Sequence, residues 1–475
     1  MRFTFLNNYT YLSLFLILLP TFLWAEGSAD PHIYIKKIQV QGTKKTKDYI
    51  LLREMNIRIG DSIAVAEIGQ LLEENRKRIM NTGLFTRIKI NVKDWQPPDN
   101  HVTLEIEAAE NWYIYPIPIF ELADRNFNVW WVEQERSLQR INFGVRLVYR
   151  NVTGHNDLLK AKVQSGYTNK LELDYGFPFI NQKETIGLSG NALYTRNKEI
   201  IRNTVQNKPD FYRDDDNFLF RRLRFGLTLS YRPFLKAFNY FTLRFHRQNI
   251  TEGVAIPELN PDYFLDERRE QRYFAFHYQF AHDNRDIIAY PLRGNYFSVD
   301  FLQEGLGIFK ERNFTALAPK YAQYFRLNRR LSVEMIGKVR WVISEEQPAY
   351  YNNRGLGYEP DFIRAYEYYV IDGQDYGYLK TSGRYEFYDG IVDYGKAMPL
   401  EFLRTMPLRV YGKLNFDTGY VRELYYAENN PFANRMLYGG GIGLDFVIYY
   451  DKVIQIEYSM NHLGERGVFL HLKLF

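Results

Sequence analysis

The stretch Arg222-Leu223-Arg224-Phe225-Gly226-Leu227-Thr228-Leu229-Ser230-Tyr231 decides the fold. Leu223, Phe225, Leu227, Leu229 and Tyr231 alternate with Arg222, Arg224, Gly226, Thr228 and Ser230. A period of two belongs to a β-strand, whose side chains point to opposite faces in turn. One face is therefore apolar and aromatic, the other cationic or small. The pattern recurs on both sides of this stretch. Leu159, Ala161, Val163, Ser165 and Tyr167 alternate with Lys160, Lys162, Gln164 and Gly166. Leu171, Leu173, Tyr175 and Phe177 alternate with Lys170, Glu172, Asp174 and Gly176. Near the other end, Ile454, Ile456, Tyr458 and Met460 alternate with Gln455, Glu457 and Ser459.

Two architectures accommodate such strands. A soluble sandwich packs apolar faces together and wets the charged ones. A membrane barrel turns the apolar face to lipid and lines its lumen with charge. Strand lengths near the ~9–11 residues of a tilted spanning strand favour the barrel. So does an aromatic content of 17%, since barrels carry aromatic girdles at both interfaces. The connections also alternate in length. Long polar linkers fall near residues 196–217, 251–270, 344–376 and 422–435, with tight ones at 233–238, 327–330 and 449–451 between them. The connection 388–403 is an exception, long where the scheme needs it short. The expectation is an all-β transmembrane barrel of about sixteen antiparallel strands over residues 111–475, an even number that leaves both barrel ends on one side.

The 475 residues are 25% charged, with a mean hydropathy of −0.40. Only one apolar run approaches a helical span, at the extreme N-terminus, which excludes a multi-helix membrane protein. The wealth of aromatics excludes a disordered chain. With no Cys, disulfides and thiolate chemistry are excluded. Lys and Arg number 61 against 56 acidic residues, a near-balance unlike that of a nucleic-acid binder.

The N-terminal run reads as a secretory signal. Arg2 precedes an apolar stretch from Leu12 to Trp24, interrupted by Ser13, Pro20 and Thr21, and Ala25 offers a cleavage site before Glu26. Residues 1–25 are thus expected to be a signal peptide, and the chain to be exported. Residues 33–110 differ from the rest in period. A strand around Ile33–Val40 ends at Gly42, and a short helix covers Thr46–Met55. After Gly60-Asp61-Ser62, a second helix carries Ile68, Leu71, Leu72 and Ile79 at three- and four-residue spacing and stops at Gly83. Strands at Phe85–Val92 and His101–Ile106 follow, giving the order β-α-α-β-β.

Gly42, the Gly60-Asp61 pair and the Gly83-Leu84-Phe85 junction resemble a POTRA domain, the periplasmic module of the outer-membrane assembly superfamily that includes BamA. The barrel half carries matching features. Asp283-Asn284-Arg285-Asp286 followed by Tyr290-Pro291-Leu292-Arg293-Gly294 resembles that superfamily's strand signature, here Asp283, Arg285, Asp286 and Gly294. Ile363-Arg364-Ala365-Tyr366, in the longest linker, resembles the (Val/Ile)-Arg-Gly-(Phe/Tyr) tip of its inward-folded loop, with Ala365 in place of Gly. Asp417-Thr418-Gly419 resembles its Asp-x-Gly motif, with Asn415 where Phe or Gly is usual. The resemblance implies that Arg364 docks on Asp417, with Tyr366 and Gly419 beside the pair. Period alone places Asp417 in the lumen with Tyr411, Lys413 and Asn415, where a lone carboxylate is expensive unless hydrated or paired. A terminal Phe475 resembles the barrel-recognition signal, yet Val468, Leu470 and Leu472 fall in the opposite phase. A bulge, a poorly paired last strand or a twisted but bonded seam each account for this.

Catalytic signals are weak. Gly187-Leu188-Ser189-Gly190 lacks nucleophile-elbow spacing, and none of the 8 His stands in an HExxH arrangement. Asp214-Asp215-Asp216-Asn217 reads as a solvated run before it reads as a cation site, and Gly439-Gly440-Gly441 as room for the inserted loop. No catalytic, cofactor or metal residue is assigned. The resemblance implies a non-enzymatic outer-membrane protein with its POTRA domain in the periplasm. Its partners would be unfolded outer-membrane or secreted clients, outer-membrane lipid and accessory lipoproteins, with no nucleic acid. General assembly and dedicated export both fit; a passive channel would leave the POTRA domain unexplained.

Overall fold

A computed structural model of the chain describes residues 31–96, 98–181, 183–252, 254, 259–309, 312–344, 346–395, 404–448 and 452–473. The signal-peptide reading at 1–25 and Phe475 lie outside these residues. The chain divides into two compact units: one holds Leu51–Glu110 with the residues up to Lys44, the other Asn111–Phe475 with Lys45–Ile50.

The N-terminal region contains β1 (His32–Gln41), α1 (Asp48–Glu54), β2 (Ser62–Ala64), α2 (Val65–Asn81), β3 (Phe85–Gln96) and β4 (His101–Glu110). The strand order is β2-β1-β4-β3, with β1 parallel to β4 and the other pairs antiparallel. Ile33 and Ile35 of β1 are buried with Val102, Leu104 and Ile106 of β4. On α2, Ile79 is fully buried while Ile68, Leu71 and Leu72 are half-buried. The helix ends where Gly83 adopts φ 71° and donates its N–H to Met80 O. Strand β2 adds to the expected order; three residues after a turn are too few to display a period.

The second unit is built on sixteen strands. Its first half contains β5 (Ile114–Leu122), β6 (Ile141–Arg150), β7 (Leu158–Gly166), β8 (Thr168–Phe177) and β9 (Ile186–Asn197). A separate hairpin, β10 (Glu199–Val205) and β11 (Lys208–Arg213), occupies the linker that the sequence presented only as polar. The sheet resumes with β12 (Phe220–Phe234), β13 (Ala237–Ile250), β14 (Glu270–Asp283), β15 (Gly294–Glu304), β16 (Phe314–Arg326) and β17 (Leu331–Val342). It ends with β18 (Asp375–Asp393), β19 (Thr405–Arg422), β20 (Met436–Ile448), β21 (Lys452–Asn461) and β22 (Arg466–Lys473). Each strand pairs antiparallel with the next, β9 passing over the hairpin to β12.

The anomalous connection at 388–403 has a structural cause. β18 and β19 outrun their neighbours and stay paired as far as Asp393↔Thr405, so residues 388–393 belong to a strand. Alternation sorts the faces as the sequence suggests. Val163, Leu227, Leu414 and Phe416 are exposed, whereas Lys162, Gln164, Lys413 and Asp417 are buried. Such an inside-out sheet suits a lipid exterior and a polar lumen.

Candidate functional site: a docked loop and an unpaired seam

The loop between β17 and β18, residues 343–374, carries Ile363-Arg364-Ala365-Tyr366 onto the inner face of β18, β19 and β20. Arg364 is buried and its backbone N–H donates to Asp417 Oδ2 at 3.1 Å. Its Nε lies 3.4 Å from the same oxygen. Nη1 turns away and donates to Ser382 Oγ of β18 at 2.9 Å. The pair is therefore a main-chain bond plus one guanidinium contact rather than a two-pronged fork. Asp417 is fully buried, and an unpaired carboxylate there would be costly.

Small residues make the approach feasible. A Cβ on Gly439 of β20 would stand 2.0 Å from Arg364 O, and one on Gly419 would stand 2.7 Å from Ile363 Cδ1. Ala365 adopts φ 69°, a left-handed conformation in which Gly is favoured. Tyr366 is buried with Ile363, Tyr376, Tyr378, Val421 and Leu437, and its hydroxyl meets His462 Nδ1.

Several lumen residues escaped sequence reasoning. Asp361 of the loop accepts from Lys338 Nζ at 2.6 Å, Tyr376 OH at 2.7 Å and Tyr378 OH at 3.0 Å. Lys413 bridges Asp445, at 2.6 Å, and Glu457. Lys413 stands on the inward phase that the period of β19 had already shown, whereas Asp361 belongs to the loop and carries no period to read. The partnering across separate strands was not legible. His471 Nε2 lies 3.4 Å from Glu367 Oε1 and 3.8 Å from Glu457 Oε2, tying loop, β21 and β22 together.

The strand signature resolves into a turn between β14 and β15. Arg285 Nη2 is 2.6 Å from Asp283 Oδ2, and its guanidinium lies over the Tyr296 ring. Asp286 Oδ1 accepts the N–H of Leu292 at 3.1 Å. Gly294 has φ 103°, and a Cβ there would fall 2.0 Å from Asn284 O. The turn sends Tyr290 into the lumen, where its hydroxyl donates to Asp445 Oδ2 at 2.9 Å. Arg384 Nη1 donates to Pro291 O at 2.9 Å. Elsewhere the lumen is open: a cavity of about 760 Å³ is lined by Lys160, Glu172, Asp174, Asn191, Arg224 and Arg244, among others. Asp214 caps its own turn, accepting from Asp216 N at 2.8 Å and Asn217 N at 2.9 Å.

The other notable region is where the sheet's ends lie. The strand order begins at β22 and ends at β5, and among the described residues no ladder joins the two. On β22, Val468 and Leu472 are exposed while Phe469 is buried and His471 faces inward, the phase that the sequence predicts.

The described residues form a small α+β module with four strands and a sixteen-stranded antiparallel sheet with a loop docked on its inner face, an architecture similar in fold to that of BamA. The comparisons agree with it. Residues 33–110 match the POTRA family model, described as a surface antigen variable number repeat. The chain has the fold of BamA from Haemophilus ducreyi lacking POTRA domains 1–3, with a TM-score of 0.64, 12% identity, and coverage of 93% of this chain and 83% of that one. CdiB from Escherichia coli aligns with a TM-score of 0.51 at 11% identity over 93% of this chain and 75% of its own. CdiB from Acinetobacter baumannii does so with a TM-score of 0.51 at 13% identity, over 92% and 73%. None of the curated proteins matches the chain in sequence.

Proposed function

We propose that the protein, after removal of a signal peptide at residues 1–25, receives unfolded polypeptide in the periplasm through a POTRA domain at 33–110. The barrel at 111–475 then assembles that polypeptide into the outer membrane through the seam between β5 and β22. The observation that carries this reading is the seam: two strands of a lipid-facing sheet with no ladder between them among the described residues. Unpaired backbone groups cost several kcal/mol each, on the order of a lost hydrogen bond or more, in hydrocarbon. An edge of this kind gains most from accepting another strand. β3, which among the described residues pairs only with β4, supplies an edge for capture by strand addition. The Arg364–Asp417 contact keeps the long loop inside the lumen, so that the seam offers the freer route. No cofactor enters this scheme: a client's own burial and backbone pairing supply the free energy.

A second reading, dedicated export through the lumen, is favoured by the open cavity beside β7–β13. Quantitative proteomics of the outer membrane after depletion of this protein separates the two. Assembly predicts a broad fall in β-barrel proteins with precursors accumulating in the periplasm. Loss of one or a few secreted proteins, with other barrels intact, would replace assembly by export.

A further inference from the structure

Two carboxylates and an imidazole from three separate elements meet on the inner face of the sheet. Glu367 follows the docked tip of the loop, Glu457 stands on β21 and His471 on β22. One ligand atom from each lies within 4.8 Å of the other two. His471 Nε2 is 3.4 Å from Glu367 Oε1 and 3.8 Å from Glu457 Oε2. Glu367 and Glu457 are 2% and 3% exposed, and the His471 side chain is 10% exposed. The His471 ring stacks on Phe362 of the loop, with centroids 5.4 Å apart, which holds its plane.

These atoms lack what buried polar groups require. Neither oxygen of Glu367 accepts a hydrogen bond, nor does Glu457 Oε2, and His471 Nε2 has no hydrogen-bond partner. Buried polar atoms are almost always satisfied, and an uncompensated buried carboxylate is costly. The neighbouring cations are engaged with other groups. Lys413 Nζ meets Glu457 Oε1 at 2.5 Å and Asp445 Oδ1 at 2.6 Å. Arg364 is held by Asp417 and Ser382, and Lys380 Nζ lies over the Phe362 ring, 3.7 Å from its centroid. A protonated His471 would not satisfy the group. Its single Nε2–H bonds one oxygen well, at about 2.7–2.9 Å in a charge-assisted pair, and leaves the other oxygens bare. A cation among the three side chains serves all of them at once.

We propose that Glu367, Glu457 and His471 bind one first-row divalent cation, zinc foremost, and that the ion fastens the docked loop to β21 and β22. Zinc takes carboxylate oxygen and imidazole nitrogen at about 2.0–2.2 Å in a tetrahedron, whose edges are then about 3.3–3.6 Å. The separations of 3.4 and 3.8 Å already approach that size, and small side-chain rotations close the rest. The imidazole argues against magnesium and calcium, which prefer shells of oxygen. Three protein ligands leave a fourth position for water, which the partly exposed His471 side admits. The Arg364–Asp417 contact ties the loop to β19; the ion adds a separate tie to the last two strands. The inference stands whether the protein assembles clients or exports them.

The full-length protein, stripped with a chelator and held in lipid nanodiscs, is titrated with Zn²⁺ against a chromophoric competitor. Heat-modifiable migration confirms a folded barrel in every variant. One zinc per chain should bind, and Co²⁺ in its place should give the visible absorption of a tetrahedral nitrogen–oxygen complex. Glu367→Gln, Glu457→Gln and His471→Gln each remove a ligand with little change of size. Each should weaken zinc by about a hundredfold or more, since even losses outside the ligand shell cost about 10–100-fold. His155→Ala, on the β6–β7 connection and outside the cluster, should leave binding unchanged. Zinc should also raise the urea midpoint for trypsin protection of the loop in the unsubstituted chain and in His155→Ala, but not in the three ligand variants. A plain ion pair between charged His471 and Glu367 would instead show no stoichiometric zinc, with the loop loosened by His471→Gln at any zinc concentration. That result overturns the proposal. So does zinc binding that survives all three substitutions, an adventitious ion only, or loop protection indifferent to bound zinc.

Discussion

The wall formed by β18, β19 and β20 and the seam formed by β5 and β22 belong to one sheet but use their backbones in opposite ways. Along the wall, β19 is paired on both sides, its ladder with β18 shifting register once between Glu386 and Tyr388, and the inner face is carved by Gly419 and Gly439 to receive a loop. At the seam, Pro116 and Pro118 leave β5 without two of its five outward donors, and on β22 a single side-chain amide, that of Asn128, meets the backbone among the described residues. The wall is therefore the fixed reference of the barrel and the seam its adjustable part. Polar side chains hold the loop to the wall, and carbonyls of the loop in turn anchor Asn126 and Arg125 of the β5–β6 connection, whose Asn128 reaches Leu470 of β22. A signal at the loop thus has a physical route to the edge.

The largest expected effect comes from removing the wall's charge partner. Asp417→Ala leaves the buried Arg364 guanidinium without its carboxylate, and breaking a buried pair typically costs about 3–5 kcal/mol. Undocking of the loop should follow, seen as trypsin cleavage after Arg364 in a barrel whose migration remains heat-modifiable. Asp417→Arg combined with Arg364→Asp should recover part of the protection. No recovery would mean that the Arg364 main-chain bond and the Ser382 contact hold the loop, not the charges.

A smaller loss is expected from Gly439→Ala. The added Cβ would meet Arg364 O at 2.0 Å, closer than real atoms approach, and overpacking of a fitted contact costs about 1–3 kcal/mol. Trypsin sensitivity of the loop should rise without loss of the barrel. Unchanged protection would show that β20 yields there, and that the wall is less rigid than its pairing suggests.

The sequence shows the wall far better than the seam, for a physical reason. Alternation over ten or more residues averages out local exceptions, so the strands, their faces and the inward phase of Asp417 are readable one strand at a time. The Gly and Arg-x-Tyr features are local too. The hairpin at β10 and β11 was hidden because its residues do not separate into a polar and an apolar set. Pro116 and Pro118 were visible as letters, but their meaning depends on which residues of β5 bond to β6, and that is a property of the pair. Asn128 is further removed: its partner Leu470 is 342 positions away, and nothing in either residue's neighbourhood announces the contact.

Hydrogen exchange measures the difference between wall and seam directly. Amides of Val468 and Leu472, which face the seam, should exchange about two orders of magnitude faster than those of Phe416 and Leu414 on the wall. The Leu470 amide, bonded to Asn128 at 2.8 Å, should be slower than either neighbour and lose that protection in Asn128→Ala. Uniform protection along β22 would indicate a ladder with β5 in solution and remove the asymmetry of the two edges.

The smallest effect concerns Ala365, and it has the opposite sign. At φ 69° an alanine pays the steric cost of the left-handed region, about 1–2 kcal/mol. Part of the gain from Ala365→Gly is given back, because glycine frees the unfolded chain by about 0.5–1 kcal/mol. The net expectation is a modest stabilisation, about 0.5–1 kcal/mol, confined to loop docking. The urea midpoint for trypsin protection of the loop should rise slightly, while the midpoint for loss of heat-modifiable migration stays put. Alanine then acts as a controlled weakness. It leaves the loop docked but easier to withdraw than glycine would, and by the tether through Asn126 and Arg125 it also loosens the hold of Asn128 on β22. If Ala365→Gly tightens the loop, protection of the Leu470 amide should rise with it; protection that holds steady would disconnect the wall from the seam.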